Sequence, residues 1–412
     1  MDKIIDSGRL AVLKGALTDA AKNTVAAEYV SWFADTIEAN RKDGLFVSDY
    51  LPIIEANKGK PRVFASVVMR TQGRRPEALR EALLSLYAQS CRDFEVLLIG
   101  HKLNEEQHKL VELILSEQDE EFRRRIRFLP LDHGTRTTPL NFGFAHALGE
   151  YIMILDDDDI VMEEWMEEYR RAAEKKPGCL LHLSSLSQDW CVIDTPYGDQ
   201  GLRAKTAPKP LHVYKYNALE QLYSNNCPTL GLGFPAYAFQ EWGIRFDETL
   251  TTTEDWDCLM RTALLCGVSE GEGALAVYRM WVNAESSATL HDTGEWQKNY
   301  DFIQQKFAEM PIALPAGYAP YIRELIALRK QETPAIQAER KAYIAKLEHD
   351  MAEITDYVRK LENDISGQQA YIAHLENDAG SAVPIIARDF KRVYLALRRR
   401  AGRLLRKTGL RK

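Results

Sequence analysis

The chain lacks most of the features that would tie it to a membrane span, a metal cage or an oxidising compartment. None of its six cysteines (91, 179, 191, 227, 258 and 266) forms a CxxC pair, and no Cys/His grouping has zinc spacing. That argues against a zinc ribbon or a thioredoxin-type motif and reads as reduced core thiols in a cytosolic protein. No stretch approaches the roughly 18 consecutive apolar residues that a spanning helix needs. The first residues, MDKIIDSGRLAVLKG, lack the uninterrupted apolar core and small-residue cleavage site of a signal peptide. No DxDxDG loop with a distal Glu is present, so an EF-hand is not expected. Acidic residues are scarce near the C-terminus. Between Arg388 and Lys412 a single acid, Asp389, faces eleven Lys or Arg, although the whole chain carries a net charge of −7. Such asymmetry points to a basic tail with a partner of its own.

What is present is otherwise ordinary for a soluble globular protein. The 412 residues are 45% hydrophobic and 27% charged, enough for one large domain with appendages or for two domains. Residues 1–60 read as a helical extension, with Val25, Tyr29, Trp32 or Phe33, and Ile37 at helical spacing. From Pro61 the texture changes. VFASVVM (63–69), FEVLLIG (94–100) and RIRFLPL (125–131) read as strands. Helical patterns separate them, one with Pro76 in its first turn and one with Asn104 and Gln107 as a capping pair. A fourth strand, YIMIL, ends in four aspartates, Asp156 to Asp159. CLLHLSSL and WCVIDT read as two further strands and ALAVYRMWV (274–282) as a late one. Alternation at this spacing predicts a mostly parallel α/β sheet flanked by helices. Ligands bind at the carboxyl ends of such strands, where the TQGRR loop after the first strand and the DDDD run both fall.

Four adjacent carboxylates repel one another strongly in a partly dry site. Open water or a bound cation relieves that, so a solvated acidic turn stands beside a metal site as a reading. Further on, FDETLTTTEDWDCLMRTALLCG places the cap-type residues Thr251 to Thr253, then Glu254 and Asp255, at the start of a helix that ends near Gly267. Two acids there also complement a helix dipole.

Taken in order, VVMRTQGRRPEALREALLSLYAQSCRDFEVLLI, LNFGFAHALGEYIMILDDDD, FDETLTTTEDWDCLMRTALLCG and the late VYR resemble the inverting family-2 glycosyltransferases. The resemblance covers roughly residues 62–290. It implies a Rossmann-like GT-A fold over residues 61–330 and transfer of a sugar from a nucleotide-sugar donor, with inversion. It implies a DxD motif at Asp156-x-Asp158, with Asp158 or Asp156 on Mn²⁺ or Mg²⁺ and Asp156 or Asp157 nearer the ribose. It implies Asp255 as the catalytic base. Thr71, Gln72 and Arg74 or Arg75 would face the nucleotide, and Asn141 and Gly143 match a motif before the fourth strand, where turn roles are equally open. The chain departs from the family where His101 and Lys102 follow the second strand, where Leu140 precedes Asn141, and where Met280 and Trp281 follow VYR. His291 is a candidate replacement ligand. Trp190, Tyr237, Trp242 and Trp256 are candidate sugar-stacking rings, although core packing accounts for each.

The C-terminal third carries a different signal. YIAKLEHD, YVRKLEND and YIAHLEND begin at Tyr343, Tyr357 and Tyr371, two heptads apart. Apolar a and d positions run from Ile344 through Leu347, Met351, Ile354, Val358, Leu361, Ile365 and Ile372 to Leu375. This predicts a coiled coil over residues 335–380 and hence a homo-oligomer. In residues 384–412, Ile386, Phe390, Val393 and Leu397 share a helical face among Arg and Lys. That pattern suits an anionic membrane surface; no base-reading nucleic-acid fold is visible. The expectation is a cytoplasmic glycosyltransferase, peripheral on the inner face of the cell membrane. It would act on a hydroxyl of a glycan or lipid-linked acceptor in cell-surface polysaccharide synthesis. A nucleotidyltransferase on a similar sheet and a non-catalytic coiled-coil assembly protein are the rivals.

Overall fold

The computed structural model describes residues 25–194, 200–211, 215–283, 292–312, 314, 316–331 and 334–378. The chain divides into two compact units, Met1–Pro315 and Ala316–Lys412.

The first unit opens with helices α1 (Val25–Lys42) and α2 (Leu51–Asn57), joined through a π-helical turn at Phe46–Tyr50. The α/β part follows as β1 (Val63–Thr71), α3 (Pro76–Tyr87), β2 (Phe94–His101), α4 (Glu105–Ser116), the short α5 (Glu120–Arg123), β3 (Ile126–Leu131), α6 (Thr138–His146) and β4 (Gly149–Ile154). Next come β5 (Ile160–Val161), α7 (Trp165–Lys175), β6 (Leu180–Asp194), β7 (Gln200–Ala204), β8 (Lys209–Pro210), α8 (Ala218–Tyr223), β9 (Leu232–Pro235) and α9 (Ala236–Gln240). The unit closes with α10 (Glu254–Cys266), β10 (Val268–Trp281) and α11 (Thr293–Glu309).

One mixed sheet runs β3-β2-β1-β4-β9-β6-β10-β5, with β7 and β8 added on β6. Its first four strands are mutually parallel, β9 is antiparallel to both neighbours, and β6 and β10 are parallel to each other. This is the α/β architecture, part parallel and flanked by helices, that the alternation predicted. One expectation is corrected. CLLHLSSL and WCVIDT belong to a single 15-residue strand, β6. The polar run Ser-Gln-Asp between them continues the strand because it pairs with β10 and β8 instead of turning.

The central strands β1, β2 and β4 are mostly apolar because helices cover both faces. Side chains alternate along β1: Ala65, Val67 and Met69 pack with Leu79, Leu83 and Trp165 of α3 and α7, while Val68 packs with Phe144 of α6. Gly143 serves that second layer. A Cβ there would stand 2.5 Å from Val68 Cγ1, so only glycine lets α6 lie this close to β1. The predicted capping box of α4 is formed, with Asn104 accepting from the Gln107 amide and Gln107 accepting in return. The N-terminal helices are part of the same core. Phe33 meets Trp242 edge-on at 5.3 Å, and Phe46 and Tyr50 meet Phe239 at 6.1 and 5.8 Å.

The second unit consists, among the described residues, of α12 (Tyr318–Gln331) and the 45-residue helix α13 (Pro334–Asp378). Its heptad residues Ile344, Leu347 and Met351 are 54%, 43% and 48% exposed. The basic tail beyond residue 378 lies outside the described residues. No described helix is long and apolar enough to cross a membrane.

Candidate functional site

Parallel pairing of β1 with β4 sets Val68 beside Ile154, so both strands deliver their ends to one edge. Arg70 and Thr71 close β1, and Asp156 to Asp159 follow β4 as a turn in which Asp159 N donates to Asp156 O at 3.2 Å. Each aspartate then finds a different partner. Arg70 Nε donates to Asp156 Oδ1 at 2.9 Å. Thr71 Oγ1 donates to Asp157. Arg75 forms an ion pair with Asp158, whose Oδ2 also accepts from Trp281 Nε1 at 2.7 Å. Asp159 is buried and accepts from the Arg279 backbone amide at 2.8 Å.

The second acidic pair comes in from α10. Glu254 is buried against Arg136, whose Nε lies 3.1 Å from its Oε1, and against Arg70, whose Nη1 lies 3.9 Å away. Arg70 Nη1 in turn donates to the Arg136 carbonyl at 2.9 Å. One guanidinium on β1 therefore touches both the DDDD turn and the Glu254–Asp255 helix start, which stand 98 positions apart in the chain. Asp255 is half-buried; Oδ1 accepts from the Trp256 amide at 2.8 Å and Oδ2 from Asn225 Nδ2 at 3.2 Å. The expected cap is absent. Thr253 precedes α10 in the left-handed region, φ 61°, and its hydroxyl donates to the Thr252 carbonyl instead of accepting from the helix. A β-branched residue in that conformation is strained.

The loop leading to Asp255 is tied down from several sides. Glu248 accepts from Tyr50 of the N-terminal extension, from Thr138 and, at 2.8 Å, from Asn141. Asn141 also donates to the Phe246 carbonyl at 3.0 Å and accepts from its amide at 2.9 Å. From the other side Asn299 donates to the Thr251 and Thr252 hydroxyls at 3.0 and 2.7 Å.

These contacts sort the residues expected from the sequence. The aspartate turn and the Glu254–Asp255 helix start come together at Arg70. Asn141 does not face the cleft. It is fully buried with its amide used by Phe246 and Glu248, so it supports the loop and has no surface for a nucleotide. Thr71 is corrected likewise: it is buried, and its hydroxyl donates to Asp157 and accepts from Gly73 N at 3.0 Å. Gln72 and Arg74 are exposed on the loop. His291 lies outside the described residues. Trp190 stacks under Arg279, 4.1 Å from its guanidinium, while Trp242 and Trp256 are core residues. The sequence reading missed Arg70, Arg136, Asn225 and the role of Trp281.

Electrostatics divide the acids further. Burial works against ionisation of Asp156, but the charge and hydrogen bonds of Arg70 outweigh it and hold the carboxyl below the usual range. Burial, then the charge of Asp158, pushes Asp157 up to about 7. Burial and the neighbouring aspartates raise Asp158 and raise Asp159 well above the usual range. Burial, then the charge of Glu254, lifts Asp255 to about 6.

The turn thus holds more buried carboxylate than its arginines neutralise, which fits a divalent cation. Among the described residues no three His, Cys, Asp or Glu converge as a metal cage. The donor set therefore fits a hard cation held by Asp156 and Asp158, with ligand oxygens and water completing the shell. Nearby, Arg279 is buried with Nε and Nη1 lacking partners among the described residues. A separate cavity of about 390 Å³ opens at the ends of β2 and β3, lined by Leu103, His108, Leu131, His133 and Phe142 among others.

Two solved structures are similar at low identity. Staphylococcus aureus TarS (residues 1–349) in complex with UDP-GlcNAc shares 15% identity over 61% of this chain and 68% of that one, with a TM-score of 0.48. The mannosyltransferase PcManGT from Pyrobaculum calidifontis, in complex with GDP-Man and Mn²⁺, shares 12% over 78% and 92%, with a TM-score of 0.44. No curated protein matches the chain in sequence. Residues 66–219 match the family model described as Glycosyl transferase family 2, a stretch that holds the TQGRR loop and all four aspartates and ends before Asn225 and Asp255.

Proposed function

We propose that the first unit is an inverting glycosyltransferase that moves a sugar from a nucleotide-sugar donor to an acceptor hydroxyl. The observation that carries the reading is Arg70, which contacts Asp156 on one side and Glu254 on the other and so joins two acidic elements into one cleft. The family match over residues 66–219 supports the reaction class.

In this reading the two elements divide the work. Inversion requires the acceptor oxygen to attack the anomeric carbon from the face opposite the leaving diphosphate. Asp255 takes the acceptor proton as that bond forms. Its neighbour Glu254, held by Arg136 and Arg70, places a charge beside Asp255 that raises the Asp255 pKa and makes it the stronger base. Asn225 and the Trp256 amide fix the direction of the Asp255 carboxylate. On the opposite side Asp156 and Asp158 would hold a divalent ion. That ion supplies charge neutralisation for the departing diphosphate. The preference of the hard cations Mg²⁺ and Mn²⁺ for carboxylate and phosphate oxygens suits this donor set.

Beyond the reaction class, the acceptor is a glycan or lipid-linked hydroxyl, and α13 pairs with copies of itself. The exposed heptad residues support the second point. The basic segment Arg388–Lys412 supports placement at the cytoplasmic face of an anionic membrane.

The test is a panel of nucleotide sugars with Mn²⁺, scoring release of nucleoside diphosphate. At least one donor is expected to turn over, and Asp255→Asn is expected to lower kcat by about 100-fold or more with the fold intact. A nucleotidyltransferase would keep its activity in Asp255→Asn, and a scaffold would bind no nucleotide.

A further inference from the structure

Asp158 faces two claims. It is a carboxylate suited to a divalent ion, yet it already holds a cation, the Arg75 guanidinium. Trp281 reinforces that arrangement twice. Its indole N–H donates to the same Asp158 oxygen at 2.7 Å, and its ring lies 4.8 Å from Arg75 Cζ. Arg75 thus bridges a carboxylate and an aromatic face.

A divalent ion on Asp158 would stand within a few ångströms of Arg75. Two positive charges a few ångströms apart near a protein surface repel each other, and the second charge on the ion doubles the repulsion. The two cations therefore exclude each other at this oxygen. Arg70 is placed differently. It bonds Asp156 at 2.9 Å, the Arg136 carbonyl at 2.9 Å and approaches Glu254 at 3.9 Å, so it belongs to the frame of the cleft. Arg75 sits at the entry to α3, two residues after Gly73 with φ 64°, on the loop whose Gln72 and Arg74 are exposed. Arg75 therefore reaches Asp158 from a loop, whereas Arg70 reaches Asp156 from within the sheet.

We propose that Arg75 is a resident cation that occupies Asp158 while the cleft is empty. It moves to the donor's diphosphate when that arrives and frees Asp158 for the divalent ion. A planar guanidinium matches phosphate oxygens as well as it matches a carboxylate, and the incoming diphosphate carries the charge that compensates its departure. The inference rests on the nucleotide-sugar reading of the same cleft. It makes ion and nucleotide binding mutually dependent: each raises the affinity of the other by the same factor.

The test is Mn²⁺ binding to the full chain, followed by the electron paramagnetic resonance of free Mn²⁺, for wild type, Arg75→Gln and Asp158→Asn. Without nucleotide, Arg75→Gln is expected to bind Mn²⁺ on the order of 5-fold or more tightly than wild type. Asp158→Asn is expected to abolish that gain when combined with it. Adding UDP or GDP is expected to tighten Mn²⁺ binding in wild type and to do so much less in Arg75→Gln. Circular dichroism and melting of each variant establish that it is folded. Unchanged or weaker Mn²⁺ binding in Arg75→Gln, with nucleotide binding intact, overturns the exchange and leaves the enzyme reading standing. Absence of both Mn²⁺ and nucleotide binding in wild type overturns both.

Discussion

Glu254 and Asp255 are adjacent in sequence and opposite in circumstance. Glu254 is enclosed by two arginines, whereas Asp255 has two neutral donors and a neighbouring negative charge. Desolvation and that charge put its pKa at about 6, so the carboxylate form needed by a base is lost as pH falls through that value. The expected kcat/KM therefore falls about tenfold per unit below pH 6. Asn225 lowers this pKa by its hydrogen bond. Asn225→Ala should move the acid limb upward, and Asn225→Asp, which sets a like charge beside it, should move it further. A pH–rate profile whose limb stays fixed in both variants would refute the base assignment. The acids were legible in the sequence because each falls at the end of a strand or the start of a helix. Arg70 and Arg136 were not, because what they do depends on pairings 86 and 118 positions away. No local rule separates Arg70 from Arg74 or Arg75, three cations within six residues.

At the scale of elements, the segment from Phe246 to Thr253 decides where Asp255 stands. It has no regular structure of its own and takes its shape from Asn141, Thr138, Tyr50 and Asn299. Asn141→Ala leaves the Phe246 amide and carbonyl without their buried partner, at a cost of about 1–3 kcal/mol. The expected result is a melting temperature lower by several degrees, read by differential scanning calorimetry, with kcat reduced although Asn141 touches no substrate. An unchanged melting temperature would contradict the anchoring role. Elements governed by local chemistry, such as the Asn104–Gln107 capping box and Pro76 at the head of α3, were readable in advance. β6 was not. Its Ser, Gln and Asp residues look like a break, and only the pairing with β8 and β10 keeps the strand extended. Asn141 was misjudged for a related reason: a motif position records that an amide is needed, not which side of the helix it serves.

At the scale of the molecule, the first unit ends at Pro315 and the second, which holds the long helix α13, is of another kind. Ile344, Leu347 and Met351 repeat at heptad spacing and are left exposed, an apolar seam that a single copy does not cover. Leu347→Glu with Leu361→Glu in the full chain is expected to convert an oligomer to a monomer by light scattering, with turnover per active site retained. A monomeric wild type would refute self-pairing.

The bridging position of Arg70 also has a meaning in time. During synthesis the four aspartates, Arg70 on β1 and Arg75 after it emerge well before Glu254 and Asp255 exist. Until α10 docks, Arg70 has only half its partners, and the loop closures required span long stretches of chain. The cleft is therefore incomplete until the chain has been made at least through Trp281. A folding intermediate can possess the whole parallel half of the sheet and still hold no working site.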